Sequence, residues 1–269
     1  MTPIDSTVAP HVCHTPGADM VAINILRTLY IHDSRRCDRD RNWFTGCAAE
    51  LASLRATAGL PVFCPADSHE LAEIWRVLDG LEYERAALVV PRQGVRPLDR
   101  TNLAPASGLA RGGYVLAEGR RPNRPAWCRD GGIPDVILMA SGSEVHLALA
   151  AREQLLDMGI SARVVSMPCW ELFERRPPQY RDEVLPPSVT VRIAVEHVSV
   201  SGWERYLGAD GAVVGMHTFT APVKPTPVRV QFGVTAPRVA QVAHQRLAAV
   251  RRKHRWSCSP IEYNHQNGE

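Results

Sequence analysis

Pro134-Asp135-Val136-Ile137-Leu138-Met139-Ala140, followed by Ser141-Gly142-Ser143-Glu144, is the stretch that decides the fold of this chain. The first seven residues form a largely apolar run, short enough for a buried strand, and after the serine turn the periodicity becomes helical. Val145, Ala148, Leu149, Leu155 and Leu156 share one helical face, and Gly159 stands where a helix end accepts a positive φ. Ala162-Arg163-Val164-Val165-Ser166-Met167 then returns to strand composition. Strand, helix and strand in that order make a βαβ crossover, which is right-handed and sets its two strands parallel. The chain therefore holds at least one α/β layer with helices covering a sheet.

At 269 residues and 45% apolar composition there is material for one large or two ordinary cores. The net charge of +3 is too small to argue for a nucleic-acid partner, and no basic run is interleaved with aromatics. No apolar run reaches the roughly 18 residues of a membrane span, and the first residues lack a signal-peptide pattern, so the cytoplasm is the default address. The seven cysteines are odd in number and form no C-x-x-C pair, and the ten histidines show no H-x-x-x-H spacing. Neither a disulfide framework nor a metal site is expected from such spacing.

Residues 1–19 mix Pro, Thr, His and Asp without periodicity and read as a poorly ordered leader. Met20 to Leu26 is compatible with the end of a helix. Thr28 to Ile31 reads as a short strand that ends at His32-Asp33-Ser34, and ligands of open α/β sheets gather at the carboxyl ends of strands, which makes His32 a candidate. Residues 35–47 crowd charges together and read as a solvated loop. A short helix is expected from Glu50 to Ala56 and a brief strand from Leu60 to Pro65. Asp67 and Glu70 have capping-box spacing and signal a helix from Ser68 to about Asp79, with Leu71, Ile74, Trp75 and Leu78 on its apolar face. Ala86 to Val90 is another strand. Arg92, just past its end, has the same kind of place as His32, and a guanidinium there offers two parallel hydrogen bonds to the oxyanion of a small phosphorylated substrate.

Pro97 to Gly119 reads as a connection containing a short strand at Ala110–Leu116, and the domain boundary falls between about Asn102 and Pro134, where periodicity fails. Beyond it, Ser141 and Glu144 have capping-box spacing, which accounts for the serine turn without a phosphate; no G-x-G-x-x-G or G-x-x-x-x-G-K is present. Pro168 to Pro187 reads as a Pro- and Arg-rich connection. Val189 to Val195 alternates as a strand ending at Glu196-His197, a pair with the chemistry of a base and its neighbour but with no nucleophile nearby, hence a structural or interface role. A short helix is expected at Ser201–Leu207, a strand at Ala212–Met216 and a closing helix at Val239–Val250. Pro222, Pro225 and Pro227 forbid a helix in the segment 219–231.

Taken together, Tyr30-Ile31-His32-Asp33-Ser34, Leu51-Ala52-Ser53-Leu54-Arg55, Pro65-Ala66-Asp67, Arg92-Gln93, Ala110 to Leu116, Ala140 to Val145, Arg163 to Pro168 and Ala212 to Met216 resemble, in order, phrases of the transketolase family. The resemblance covers about Met20 to Ala249, against the end of that family's pyrimidine-binding domain and its whole C-terminal domain. It implies an α/β fold: a truncated pyrimidine-binding α/β domain followed by a smaller three-layer α/β C-terminal domain. The divisions expected are a leader (1–19), a partial pyrimidine-binding domain (20–105), a linker (106–132), a C-terminal domain (133–250) and a tail (251–269). It also implies ketol transfer between sugar phosphates with thiamine diphosphate and Mg, in a homodimer, with His32 contacting the sugar and Arg92 gripping its phosphate.

The departures from the family are as informative. The diphosphate-binding domain with its metal ligands is missing from these 269 residues, as is the start of the pyrimidine-binding domain. Residues 35–47 replace a glycine-rich phrase, Cys64 replaces a usual arginine, and the segment 219–231 replaces a helix-forming stretch. Islands of foreign text at 35–49 and 220–231 have the form of local reading-frame slips. The expectation is a transketolase-like protein, inactive alone for want of cofactor and metal contacts, that binds sugar phosphate once a partner supplies the N-terminal half. The alternative is a non-catalytic α/β interaction or dimerisation module or a gene remnant.

Overall fold

The computed structural model describes residues 18–24, 27–33, 51–80, 85–90, 97–120, 133–197, 200–215 and 233–257. The decisive stretch forms strand β6 (Val136–Ala140), helix α3 (Glu144–Asp157) and strand β7 (Ala162–Ser166), with β6 and β7 parallel and in register from Val136↔Ala162 to Ala140↔Ser166. Strands β5 (Tyr114–Ala117), β8 (Arg192–Glu196) and β9 (Ala212–Gly215) complete a sheet of order β5-β7-β6-β8-β9, in which β5 alone is antiparallel. All five side chains of β6 are buried, because each face of the sheet is covered.

The covering follows the two-residue period of a strand. Val136, Leu138 and Ala140, with Val164, Ile193 and Val195, pack among residues of α3 and of α6 (Ala236–Ser257), including Val145, Ala148, Val239 and Ala243. Ile137, Met139, Val165 and Ala194 point the other way. They meet Trp170, Phe173, Val184 and Leu185 from α4 (Trp170–Glu174), α5 (Pro178–Val184) and the residue after it, with Trp203 and Tyr206 from a 3-10 turn at Trp203–Tyr206. The result is three layers.

A smaller sheet of order β1-β2-β4-β3 precedes this one. Strands β2 (Arg27–Asp33), β4 (Arg85–Val90) and β3 (Val62–Phe63) are parallel, and α2 (Ser68–Gly80) links β3 to β4 as a second crossover. Residues 51–56 are helical (α1). Met20 to Leu26, compatible in sequence with a helix end, instead contributes strand β1 (Ala18–Asn24), antiparallel to β2 from Ala18↔His32 to Asn24↔Arg27. β-branched Val21 and Ile23 favour the extended form once β2 offers a ladder.

Other elements depart from their sequence expectation in instructive ways. The buried side of α2 carries Glu70, Ile74 and Leu78, while Trp75 is 44% exposed and Leu71 half-buried. In α3 the buried line runs through Val145, Ala148, Ala151, Arg152 and Leu155, with Leu149 and Leu156 on its shoulders. The Pro168–Pro187 connection contains α4 and α5, the latter starting at Pro178, a residue preset for a first helical position. The segment Ser201–Leu207 is a 3-10 turn rather than an α-helix, and α6 runs past Val239–Val250 at both ends. Thr235 opens α6, its hydroxyl accepting the Arg238 N–H at 3.4 Å. Residues 106–111 form a 3-10 turn, so the strand read at Ala110–Leu116 begins later, at Tyr114.

One core joins the two sheets. Phe63, Ala66, Ile74, Leu78 and Leu88 belong to the same buried cluster as Leu109, Tyr114, Leu116 and Leu138. Backbone bonds cross the same seam: the Cys64 N–H donates to Pro168 O at 2.8 Å, and the Gly142 N–H to Cys64 O at 3.0 Å.

Candidate functional site

In the first sheet, β2 and β4 pair from Thr28↔Arg85 to Asp33↔Val90 and end together. His32, opposite Val89, is therefore at the carboxyl edge where ligands of open α/β sheets collect. Arg92 lies outside the described residues, two positions beyond the last residue of β4. The segments 35–49 and 220–231 also lie outside them.

The second sheet has its own crevice. From β6 the chain passes to β7 on one side and then returns to β8 on the other, so the strand order reverses between β6 and β8. Open α/β folds place ligands at such a point. Ser141 follows β6 and Glu196 ends β8 there, and between them sits the guanidinium of Arg55, delivered by α1 from the preceding half. Its Nη1 donates to Glu196 Oε2 at 3.1 Å and its Nη2 to Ser141 Oγ at 3.1 Å, and its plane lies 4.0 Å over the Trp170 ring. Trp203 Nε1 (3.4 Å) and Ser141 Oγ (3.5 Å) also donate to Glu196. The side chains of the ion pair are 7% and 3% exposed.

Burial alone would lower the Arg55 pKa, but attraction to the Glu196 carboxylate and their hydrogen bond hold it above its usual value, so the cation stays charged. Burial pushes the Cys64 thiol, 3.9 Å from Arg55 Nη2, up to about 11, which keeps it protonated. The capping box read at Ser141 and Glu144 is not formed: Ser143 is the N-cap residue of α3, with no side-chain cap bond. The Ser141 hydroxyl is drawn to the buried ion pair, where hydrogen bonds to charged groups are stronger. Glu196 thus has the structural role expected of it.

A second polar cluster lies on the same seam. Asp67 caps α2 by accepting the Glu70 N–H at 2.8 Å, and Arg100 grips it from the other side, Nη2 to Oδ1 at 2.8 Å and Nε to Oδ2 at 3.1 Å. Glu70 reaches back to the Ala66 N–H at 2.7 Å, and its other oxygen accepts Tyr114 OH and Ser166 Oγ, each at 2.7 Å. Burial works to raise the Asp67 pKa, yet the bonds from Arg100, the Glu70 N–H and His69 bring it below the usual value. For Glu70 burial wins over its three donors, and its pKa is raised. The capping pair was readable from spacing; Arg100, Tyr114 and Ser166 were not, since only the fold brings residues 33, 44 and 96 positions away onto it.

The geometry now has relatives. Residues 112–235 match the transketolase-like TK C-terminal domain. The transketolase of Geobacillus stearothermophilus is 37% identical over 228 residues, 84% of this chain and 32% of that protein. The chain carries a transketolase C-terminal section. Among solved structures, the transketolase of Pichia stipitis in complex with sedoheptulose 7-phosphate superposes with a TM-score of 0.63 at 29% identity, covering 75% of this chain and 27% of that one. A split-gene transketolase, described as an inactive β4 tetramer, shares the fold with a TM-score of 0.58 at 19% identity, over 82% of this chain and 66% of that one. The chain spans about a third of the length of the relatives it matches in sequence.

Among the described residues, no three His, Cys, Asp or Glu side chains are grouped to hold a metal ion, and no helix is long and apolar enough to cross a membrane. The metal that accompanies transketolase chemistry thus finds no fitting donor set in the described part of this transketolase-like chain.

Proposed function

We propose that this chain is the C-terminal section of a transketolase-type ketol transferase, which moves a two-carbon ketol unit between sugar phosphates of the pentose phosphate pathway. In this reading His32 contacts the sugar and Arg92 grips its phosphate through the two parallel N–H donors of the guanidinium. The observation that supports it is the co-terminal pairing of β2 and β4, whose last pair, Asp33↔Val90, puts His32 and the end of β4 on one carboxyl edge. Thiamine diphosphate supplies the carbanion chemistry when bound with Mg in the family, and in this reading the family's N-terminal half holds both.

Catalysis therefore requires, besides these residues, the N-terminal half that the family carries. Copies of this chain pair as a homodimer in that assembly, a reading supported by the tetramer named for the split-gene relative. The protein works in the cytoplasm, with neither nucleic acid nor membrane as partner. The plugged crevice between β6 and β8 favours a second role in the same molecule: that edge of the C-terminal sheet acts as scaffold for the preceding half rather than as a ligand site.

The test is a thiamine-diphosphate-dependent ketol-transfer assay of the purified chain, with and without a transketolase N-terminal half. Activity is expected only with the partner, and Arg92→Ala is expected to raise KM for the sugar phosphate with a smaller effect on kcat. Turnover by the chain alone would refute the reading, as would a complemented enzyme indifferent to Arg92.

A further inference from the structure

On the outer side of the second sheet, α4, α5, the strand β8 and the Trp203–Tyr206 turn surround a cleft of about 650 Å³. This lies within the range of small-molecule sites, roughly 300–1,000 Å³. Its lining mixes apolar residues, Phe173, Leu185 and Tyr206 among them, with three arginines, Arg181, Arg192 and Arg205, against two carboxylates, Glu174 and Asp182. We propose that this cleft binds a small phosphorylated ligand through those three guanidinium groups.

The cations are unevenly compensated. Arg181 Nη1 pairs with Glu174 at 3.0 Å, but its buried Nε has no hydrogen-bond partner among the described residues. A buried donor left unmade is costly, and natural structures ordinarily give it a protein, water or ligand oxygen. Arg192 is fixed by four carbonyls: Nε donates to Val189 O, Nη1 to Tyr206 O, and Nη2 to Leu185 O and Pro186 O. Four of its five N–H groups are used, no described carboxylate is bonded to it, and one N–H remains on Nη1. Burial accordingly draws its pKa below the usual value, as expected for a cation short of negative charge. Arg205 lies over the rings of Trp170 (5.7 Å) and Tyr206 (5.9 Å), positioned by stacking rather than by an ion pair among the described residues.

Three positive groups facing two negative ones leave one uncompensated charge, and they converge around Tyr206. A phosphate has three equivalent oxygens to offer three separate forks, whereas a carboxylate has two and one plane. The apolar part of the lining, with Phe173, Pro178 and Leu185, gives the body of the ligand a surface to rest on.

The probe is phenyl phosphate, titrated calorimetrically into the full chain, with benzoate and phenol as controls. Saturable one-to-one binding of phenyl phosphate is expected, with benzoate weaker and phenol unbound. Arg205 is exposed, so Arg205→Ala is expected to weaken binding about tenfold, the loss of one charge-assisted contact, with little change in Tm. Arg181→Gln is expected to do the same. Absence of saturable binding at millimolar phenyl phosphate, or affinity unchanged in both variants, would overturn the proposal. Equal affinity for benzoate would overturn the phosphate assignment. Loss of binding in Arg92→Ala, with Arg205→Ala unaffected, would move the event to the first sheet and overturn it as well.

Discussion

Replacing Arg55 by methionine removes a buried cation and leaves its carboxylate behind. In the native protein Glu196 accepts a charge-assisted bond from Arg55 at 3.1 Å, and longer bonds reach it from Trp203 Nε1 at 3.4 Å and Ser141 Oγ at 3.5 Å. The long pair cannot replace a cation for a side chain that is 3% exposed. Breaking such a pair costs about 3–5 kcal/mol. The stacking of Arg55 on Trp170 is worth roughly another 0.5–2 kcal/mol, which the thioether recovers in part by packing on the same ring. The net expectation is a loss of about 3–5 kcal/mol, a large share of the roughly 5–15 kcal/mol that holds a domain folded. Urea unfolding followed by tryptophan fluorescence is the natural assay, because Trp170 and Trp203 both border the pair. The double variant Arg55→Met, Glu196→Gln is the internal control: with the buried carboxylate charge removed as well, it should regain about 2 kcal/mol or more over the single variant. A single variant costing less than about 1 kcal/mol, or a double variant whose cost is the sum of both singles, would refute the claim that Arg55 and Glu196 neutralise each other inside the seam.

Two further outcomes follow from the same seam. Asp67 has a lowered pKa, so its stabilisation is present above the unfolded carboxylate value near 4 and is lost as pH falls through the folded value; Asp67→Asn should make the acid limb of a stability–pH curve shallower. Glu70 is shifted upward, so its contribution is present below its unfolded value and lost as pH rises through the folded one; Glu70→Gln should abolish that decline in the window just above about 4.5, and chemical denaturation at stepped pH reads both variants. At Gly112, with φ +84°, an added Cβ would stand 2.2 Å from Phe173 N and 2.4 Å from Cys169 O, so Gly112→Ala should cost about 2–4 kcal/mol in urea unfolding, whereas Gly159→Ala, with open space around it, should cost less.

The βαβ unit at Val136–Ser166 was legible because a run of buried strand residues, a 3.6-residue period and a glycine stop all agree there. The helix at Ser68–Gly80 was legible for the same kind of reason, through its capping pair. Its inward face was not. Counting apolar residues put Trp75 inside, but the space is taken by Glu70, whose carboxylate is worth burying only because Tyr114 and Ser166 meet it from the other sheet. β1 escaped detection because a seven-residue segment carries no sustained period and its partner strand decides its conformation. Arg55 read as one arginine in a short helix. Nothing local marks that its partner is 141 residues away, and the signal available was indirect: an otherwise unexplained Glu196 at the end of an apolar strand.

The backbone ties between the two sheets bear on how such chains can be cut and recombined. A piece starting at Ile133 would take Arg55 and Glu70 away from Ser141, Ser166 and Glu196, would strip β7 of its β5 neighbour, and would remove Phe63, Ile74 and Leu116 from the shared core. The C-terminal sheet is thus not a self-contained cassette, and it should melt in a single transition with residues 51–80 rather than apart from them. Any exchange of C-terminal halves between relatives has to carry that preceding segment along, Arg55 included.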